Sequence, residues 1–147
     1  MNSDLANFRL QTYRHLLLAS EGPDTFQDMT DLWSQTSATV NRLSTLKGTT
    51  PEEEAELCLT MLVGLQLGIR NSDSLNRAID RAFTILPQIT DRKLLCHLLV
   101  HLYAETEDEE LLAEIDTLMP SWPQETLTEE DRYLQEFYLS AQENALC

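Results

Sequence analysis

Hydrophobic residues recur every three or four positions along most of the chain, the spacing that places side chains on one face of an α-helix. Residues 24–46 show the longest such seam, formed by Phe26, Met29, Trp33, Thr36, Val40 and Leu43. It covers about 2.5 heptads, which favours packing inside the domain over a coiled coil, although a dimer seam stays open. The same periodicity predicts helices over residues 3–19 and 75–86 and in three later segments. We therefore expect an all-α fold, an irregular bundle of about seven short-to-medium helices arranged as helical hairpins.

Residues 51–70 differ from the other segments because they are apolar nearly all round. This pattern predicts the buried central helix of the domain. Thr50 is placed to cap its start, Pro51 suits the first helical position, and Glu53 completes a capping box. Gly64 and Gly68 lower helix propensity there, so we expect them to let a neighbouring helix approach closely.

Capping residues also predict where the later helices begin. Thr90 is expected to start the helix that carries the leucines of residues 94–102. Thr106 and Glu109 match a second capping box, and Thr126 or Thr128 is expected to cap the last helix. The length of 147 residues fits one domain spanning residues 1–147.

Charge is distributed very unevenly along the chain. The formal net charge is -15, and residues 94–147 contain a single basic side chain, Arg132, against 13 acidic ones. Such a field repels nucleic acids and anionic membranes, so we expect neither as a direct partner. The acidic third is interpreted either as a solvated face that maintains solubility or as a docking surface for a basic protein.

Seven residues are candidates for contact with such a partner. The acidic ones lie in the predicted helices and loops of residues 106–131, and Trp122 lies between Pro120 and Pro123. A tryptophan in a stiff loop either anchors an interface or plugs the end of the core, and the sequence favours the core. The candidate partner-binding residues are Glu107, Asp108, Glu109, Glu110, Trp122, Glu129 and Glu130.

Motifs for catalysis are missing from the sequence. His97 and His101 share a helix face, but the residues between them lack the glutamate of a zinc-protease motif, so we expect structural or surface histidines. The sequence contains no Gly-rich phosphate loop and no dinucleotide fingerprint. We therefore predict no catalytic, cofactor-binding or metal-binding residue and no enzymatic activity, with a small helical enzyme as a remaining alternative.

Cysteine usage and the N-terminus indicate the compartment. An odd count of 3 Cys without a closely spaced pair argues against a disulfide framework. The first residues lack a basic, apolar leader pattern, and no uncharged apolar run is long enough to span a membrane. We expect a soluble cytoplasmic protein.

Several short stretches resemble the UpxZ family of transcription antitermination antagonists. They are residues 50–64 (TPEEEAELCLTMLVG), 103–105 (YAE), 108–111 (DEEL) and 127–132 (LTEEDR), in this order. The resemblance is best over residues 49–143 and includes the length, the acidity and the helix-only pattern. The matching stretches carry no catalytic motif from which functional residues could be transferred.

The resemblance implies a regulator encoded in the capsular polysaccharide loci of gut bacteria. Such loci also encode a NusG-like antiterminator, UpxY, and the UpxZ-like product acts in trans against the antiterminators of other loci. The implied partner is a NusG-like antiterminator or its complex with RNA polymerase, bound through the acidic helical surface. The alternative from the residues alone is an acidic adaptor or nucleic-acid mimic that inhibits another DNA- or RNA-binding protein.

Overall fold

A computed structural model describes residues 3–21, 26–67 and 72–146, with side chains described over residues 4–16, 34–66 and 72–143. Within these ranges the regular structure consists of seven α-helices and three short 3-10 turns, without a strand. The helices are α1 (Ser3–Glu21), α2 (Phe26–Leu43), α3 (Pro51–Leu67), α4 (Ser72–Ile85), α5 (Arg92–Thr106), α6 (Glu110–Leu118) and α7 (Glu129–Leu146). The all-α prediction is confirmed.

Helix α3 lies at the centre of the bundle, as its apolar circumference predicts. It contacts α1, α2, α4 and α5, and nearly every side chain of its last three turns is buried. Gly64 permits a close approach of α2 and α1 to α3. A Cβ added there would lie 2.6 Å from Cγ2 of Val40 on α2 and 3.4 Å from the ring of Phe8 on α1. Gly68 lies outside the described residues.

The seam predicted along α2 faces inward where its side chains are described. Thr36, Val40 and Leu43 are each about as buried as the core residues of α3. The side chains of Phe26, Met29 and Trp33 lie outside the described residues. Packing within the bundle therefore accounts for the second half of the seam.

The start of α3 is capped by Thr50, whose Oγ1 accepts the amide of Glu53 at 3.1 Å. The carboxylate of Glu53 turns back to Thr49, where it accepts the amide at 2.8 Å and the hydroxyl. The prediction of Thr90 as the start of α5 is wrong by one residue. Asp91 is the N-cap, because its Oδ1 accepts the amides of Lys93 and Leu94, both at 3.1 Å.

The second predicted capping box is also wrong. Thr106 is the last residue of α5, and its hydroxyl donates to the carbonyl of Leu102 at 2.8 Å. Helix α6 begins only at Glu110, whose amide donates to Oδ1 of Asp108 at 3.0 Å. The extra residues are needed because α5 ends in a left-handed conformation at Glu107 (φ 55°) before the chain turns.

Helix α7 packs across α5 and α1 and closes the bundle. Thr128, not Thr126, caps it: the Thr128 hydroxyl accepts the amide of Asp131 at 3.1 Å. The carboxylate of Asp131 in return accepts the Thr128 amide at 3.0 Å. This reciprocal pair is a capping box, and it places the first turn of α7 against the other helices.

Candidate functional site

Two acidic segments near the ends of helices differ in what surrounds their carboxylates. We call residues Glu107–Glu110, where α5 turns into α6, the acidic corner, and residues Thr128–Asp131 the α7 start. The acidic corner follows Thr106 and contains four carboxylates, and the α7 start begins with Thr128 and contains three. The structure gives them opposite surroundings.

The acidic corner faces solvent. Glu107, Glu109 and Glu110 are exposed, and Asp108 is half-buried, with its Oδ1 accepting the amide of Glu110 at the start of α6. The amide of Glu107 donates to the carbonyl of Tyr103 at 2.7 Å, which ends α5. Among the described side chains, no Lys or Arg forms an ion pair with any of the four carboxylates. Their negative charge therefore faces solvent, and no cation of the described side chains neutralises it.

The α7 start has its carboxylates paired with cations from α1 and α5. Glu129 accepts two hydrogen bonds from Arg14, both at 2.8 Å. Glu130 Oε2 lies 2.7 Å from Arg9 Nε. Asp131 contacts both Lys93 and a histidine of α5.

Arg9 joins three helices through its guanidinium. It is 5% exposed. Besides Glu130 on α7, its Nη1 donates to Glu56 Oε2 at 2.5 Å and to Thr60 Oγ1 at 3.0 Å on α3. Burial alone would lower the pKa of Arg9, but the adjacent carboxylates of Glu130 and Glu56 outweigh burial and raise it. Arg9 is therefore a buried permanent cation of the fold.

Asp131 is the most buried carboxylate of the α7 start, at 2% exposure. Its Oδ1 lies 2.9 Å from Nε2 of His97, and its Oδ2 lies 2.7 Å from Nζ of Lys93. Burial acts to raise the pKa of Asp131, but the hydrogen bonds from His97, Lys93 and the Thr128 amide hold it well below its usual range. Asp131 is accordingly ionised and held by two side chains of α5.

Trp122 packs against His97 and Lys93, the two residues that hold Asp131. Its ring stacks on that of His97, with centroids 5.5 Å apart and planes 19° apart, and Lys93 Nζ lies 5.6 Å from its centroid. The residue is 7% exposed. Trp122 therefore plugs the end of the core, the reading that the sequence favoured, and offers little surface to a partner.

His101 lies one turn further along α5 in an apolar setting. Its Nε2 is 2.6 Å from the hydroxyl of Tyr13, and its ring stacks on Phe137 with centroids 4.5 Å apart. Complete burial, followed by the charges of His97 and Arg9, lowers the pKa of His101 from 6.5 to about 3. Both histidines of the predicted pair are thus structural, in accordance with the sequence-based expectation.

The candidate residues therefore fall into two groups. Glu107, Glu109 and Glu110 are accessible, and Glu129 is exposed but paired with Arg14. The other three, Asp108, Glu130 and Trp122, take part in the fold. Sequence reasoning missed the cations that divide the groups. A signal for one of them exists, because Arg9 lies four residues from both Leu5 and Tyr13, on the buried face of α1.

Cavities in the described part of the chain differ in size. One of about 180 Å³ adjoins the cluster of Arg9, Lys93, His97, Glu130 and Asp131. A larger groove of about 510 Å³ lies between the loop before α3 and the last turns of α4. No group of three or more His, Cys, Asp or Glu in the described residues is arranged to hold a metal ion. None of the described helices has the length and hydropathy to cross a membrane.

The model of the UpxZ family of transcription anti-terminator antagonists matches residues 8–104, about two-thirds of the chain. The chain belongs to the UpxZ family. A crystal structure of a transcription anti-terminator antagonist UpxZ from Bacteroides uniformis is similar, with a TM-score of 0.75 and 28% sequence identity. That similarity covers 97% of this chain and 94% of the other. No curated protein matches the chain significantly.

Membership in the UpxZ family confirms the resemblance inferred from the short sequence stretches. The family model runs from the second turn of α1 to most of α5 and ends before the acidic corner and the α7 start. The solved UpxZ structure matches almost the whole chain, so the bundle as a whole is shared with a family member. The family is one of regulators that antagonise transcription anti-terminators.

Proposed function

We propose that this chain binds a NusG-like antiterminator of the UpxY type, encoded by another capsular polysaccharide operon, and blocks it in trans. The bound form is the free antiterminator or its complex with RNA polymerase. The role is regulatory and stoichiometric, without a chemical reaction, and is exerted in the cytoplasm, where transcription takes place. The family description supports the antagonist part of this proposal.

The observation that carries the mechanism is the uncompensated charge of the acidic corner. Three of its carboxylates are exposed, and all four lack a cationic partner among the described side chains. A NusG-like factor works beside nucleic acid, and surfaces that approach nucleic acid are typically basic. Opposite fields of this kind accelerate association and select partners.

Within this proposal the candidate residues have different tasks. Glu107, Glu109 and Glu110 contact the basic surface of the partner. Asp108 sets the start of α6 and so the direction of that surface. The remaining three candidates, Glu129, Glu130 and Trp122, hold α7 and the preceding loop in place behind it.

The first experiment is a binding titration against a panel of UpxY-type antiterminators at low and high salt. The general NusG of the host is the control that separates selective binding of antiterminators from binding of any NusG-like protein. We expect selective binding to antiterminators of other capsule loci, weakened by salt because exposed charges are screened. Failure to bind any member, free or in complex with polymerase, would overturn the proposal.

A matched pair of double variants locates the surface. Glu109→Lys with Glu110→Lys reverses two charges of the acidic corner, and Glu136→Lys with Glu143→Lys reverses two exposed charges of α7. Both change the net charge equally, so a general electrostatic effect weakens binding in both. We expect the corner variant to weaken binding at least about tenfold more than the α7 variant. Equal effects would contradict the acidic corner as the contact surface.

Two outcomes favour other mechanisms. Binding that resists salt and both double variants would indicate an apolar groove that grips a partner helix. Competition by RNA or duplex DNA for an unrelated basic protein would favour the nucleic-acid mimic. Circular dichroism of each variant confirms that helix content is retained.

A further inference from the structure

One cavity of the bundle is lined by more carboxylates than cations. It measures about 180 Å³ and lies where residues of α1, α3, α5 and α7 meet. The cations of its wall are Arg9 and Lys93, and the carboxylates are Glu56, Asp91, Glu130 and Asp131. Because an excess of one sign of charge along a concave wall attracts ions of the opposite sign, the cavity favours a positively charged ligand.

Both cations of the wall are already engaged by the fold. Arg9 Nη1 lies 2.5 Å from Glu56 Oε2, and Arg9 Nε lies 2.7 Å from Glu130 Oε2. Lys93 Nζ lies 2.7 Å from Asp131 Oδ2. Two of the four negative charges therefore have no positive counterpart within the wall.

Asp91 has a carboxylate that no cation of the described side chains meets. None of the described Lys or Arg side chains forms an ion pair with it. The residue is exposed, and its Oδ1 accepts the amides of Lys93 and Leu94 at the start of α5, both at 3.1 Å. Asp91 thus places a negative charge at the mouth of the cavity.

His97 adds an acceptor without a partner to the same wall. Its Nε2 lies 2.9 Å from Oδ1 of Asp131, and since a carboxylate accepts, the hydrogen is on Nε2 and Nδ1 has the lone pair. Nδ1 is buried, has no hydrogen-bond partner, and lies 3.9 Å from Oε2 of Glu130. Buried polar atoms in folded proteins are nearly always paired, so Nδ1 and the adjacent carboxylate indicate a site for a hydrogen-bond donor.

We propose that this cavity is a binding site for an alkylammonium group, a positively charged primary amine at the end of a short apolar chain. An ammonium nitrogen has three N–H donors and no acceptor. Its hydrogen bonds are about 2.9 Å long, so one nitrogen reaches both Nδ1 of His97 and Oε2 of Glu130, which are 3.9 Å apart. The carboxylate of Asp91 adds attraction at the mouth of the cavity.

The rest of the wall fits the apolar part of such a ligand. Leu59 and Leu94 line the cavity, and both are buried. A volume of about 180 Å³ is below the roughly 300–1,000 Å³ of pockets for drug-sized molecules, so the chain of the ligand is short.

A metal ion fits this wall less well than an ammonium group. The described His, Cys, Asp and Glu side chains contain no group of three arranged to hold a metal. An imidazole nitrogen is also a poor ligand for hard alkali ions, which prefer oxygen. An ammonium group instead satisfies a nitrogen and a carboxylate acceptor through directed hydrogen bonds.

The direct test is a titration of the full ¹⁵N-labelled chain with n-butylammonium chloride at constant pH, followed by amide spectra. Potassium chloride and tetramethylammonium chloride at equal concentrations are the controls, because neither cation has an N–H donor. We expect saturable shifts around residues 91–97 and 129–131 with n-butylammonium alone. The absence of saturable shifts, or equal shifts in all three salts, would overturn the proposal.

Long-range nitrogen spectra of the histidine rings test the unpartnered acceptor in the same titration. The His97 signals are assigned with His97→Gln, and the half-exposed His15 is the internal reference. We expect the Nδ1 signal of His97 to move as its lone pair accepts a hydrogen bond, while the His15 signals stay in place. An unchanged His97 signal at saturation would contradict the proposed contact.

A matched pair of variants separates the cavity from the overall charge of the chain. Asp91→Asn and Asp108→Asn each remove one negative charge, and in both the amide oxygen still accepts the helix-start amides that the aspartate Oδ1 accepts. We expect the Kd for n-butylammonium to rise at least about threefold in Asp91→Asn and to stay unchanged in Asp108→Asn. Equal effects in the two variants would show that the site does not depend on its own carboxylates.

A second ligand distinguishes the two sources of the group, a free amine and a lysine side chain of a bound protein. The probe is a blocked tripeptide with a central lysine, titrated under the same conditions as n-butylammonium. Binding of the tripeptide at least as tight as that of n-butylammonium assigns the site to a lysine. Weaker binding of the tripeptide, or none, assigns the site to a free amine. Neither titration uses an antiterminator, so the result is independent of the proposed function.

Discussion

The acidic corner and the α7 start are alike in sequence and opposite in structure. Thr106 is followed by four acidic residues and Thr128 by three. The threonine of the α7 start caps its helix and the carboxylates behind it bind cations, whereas Thr106 ends a helix and its neighbouring carboxylates meet solvent. A run of acidic residues thus does not reveal whether it serves the fold or a partner.

The difference lies in what the rest of the chain places opposite each run. Arg9, Arg14 and Lys93 reach the α7 start from positions far away in the sequence. No described cation reaches the acidic corner, because α6 folds back along α5, a helix whose basic residues lie only at its far end. Mutations that act on one region and spare the other test this contrast.

The largest expected effect comes from Arg9→Met. The substitution leaves Glu130 and Glu56 without their buried partner, and breaking a buried ion pair costs about 3 kcal/mol or more. Chemical denaturation measures the loss in the free energy of unfolding. Arg14→Met is the control, because the Arg14–Glu129 pair is exposed and its removal should leave stability nearly unchanged. Equal losses in the two variants would contradict the structural role of the cluster.

The second effect is a loss of stability in acid that originates at His101. Its pKa is about 3 in the folded protein and 6.5 ordinarily, so the unfolded chain binds a proton that the folded chain excludes. Stability from this group is full above pH 6.5 and falls toward pH 3 by about 1.4 kcal/mol per pH unit. Unfolding curves between these pH values should show this slope reduced in His101→Gln. A slope unchanged by the substitution would place the acid sensitivity elsewhere.

A third comparison concerns the two threonines. Thr128→Ala removes the cap of α7 and should cost about 1 kcal/mol, the usual effect of losing an N-cap hydroxyl. Thr106→Ala removes a hydroxyl that donates to the Leu102 carbonyl of its own helix and accepts the Asp108 amide through an exposed bond of 3.3 Å, so its effect should be smaller. Thermal unfolding of the two variants measures the difference. A larger loss of stability in Thr106→Ala than in Thr128→Ala would mean that the fold of the acidic corner depends on Thr106.

The smallest effect is a gain in stability at the acidic corner. Glu107 holds a left-handed conformation (φ 55°), which costs a side chain with a Cβ about 1 kcal/mol relative to glycine. We expect Glu107→Gly to raise the free energy of unfolding by up to that amount, whereas Glu107→Ala should not. The two variants lose the same charge, so a gain in both would trace the effect to relieved repulsion between carboxylates.

Local signals in the sequence predicted much of the fold. The apolar circumference of α3, its Thr50 cap and the close approach at Gly64 are all confirmed. The errors at Thr90 and Thr106 arose where two capping residues compete within a few positions. In both cases an aspartate carboxylate accepts the first free amides, those of Lys93 and Leu94 at α5 and that of Glu110 at α6, so the helix begins later than the threonine predicts.

The candidate site was harder to predict from the sequence than the fold. The sequence located the acidic residues, but it could not separate Glu109, which faces solvent, from Glu130, which is bound to Arg9. The signal that existed was the position of Arg9 on the buried face of α1. An isolated arginine on an apolar face predicts a buried ion pair without naming its partner.

The sequence by itself determined the helices, the central position of α3, the concentration of negative charge after residue 93 and the resemblance to the UpxZ family. These properties depend on periodicity, propensity and composition, which are local or additive along the chain. The tertiary structure alone decided which carboxylates are neutralised and how His97 and His101 differ. Both depend on pairing and desolvation between α1, α5 and α7, and these arise only when residues distant in the chain are brought within a few ångströms of each other.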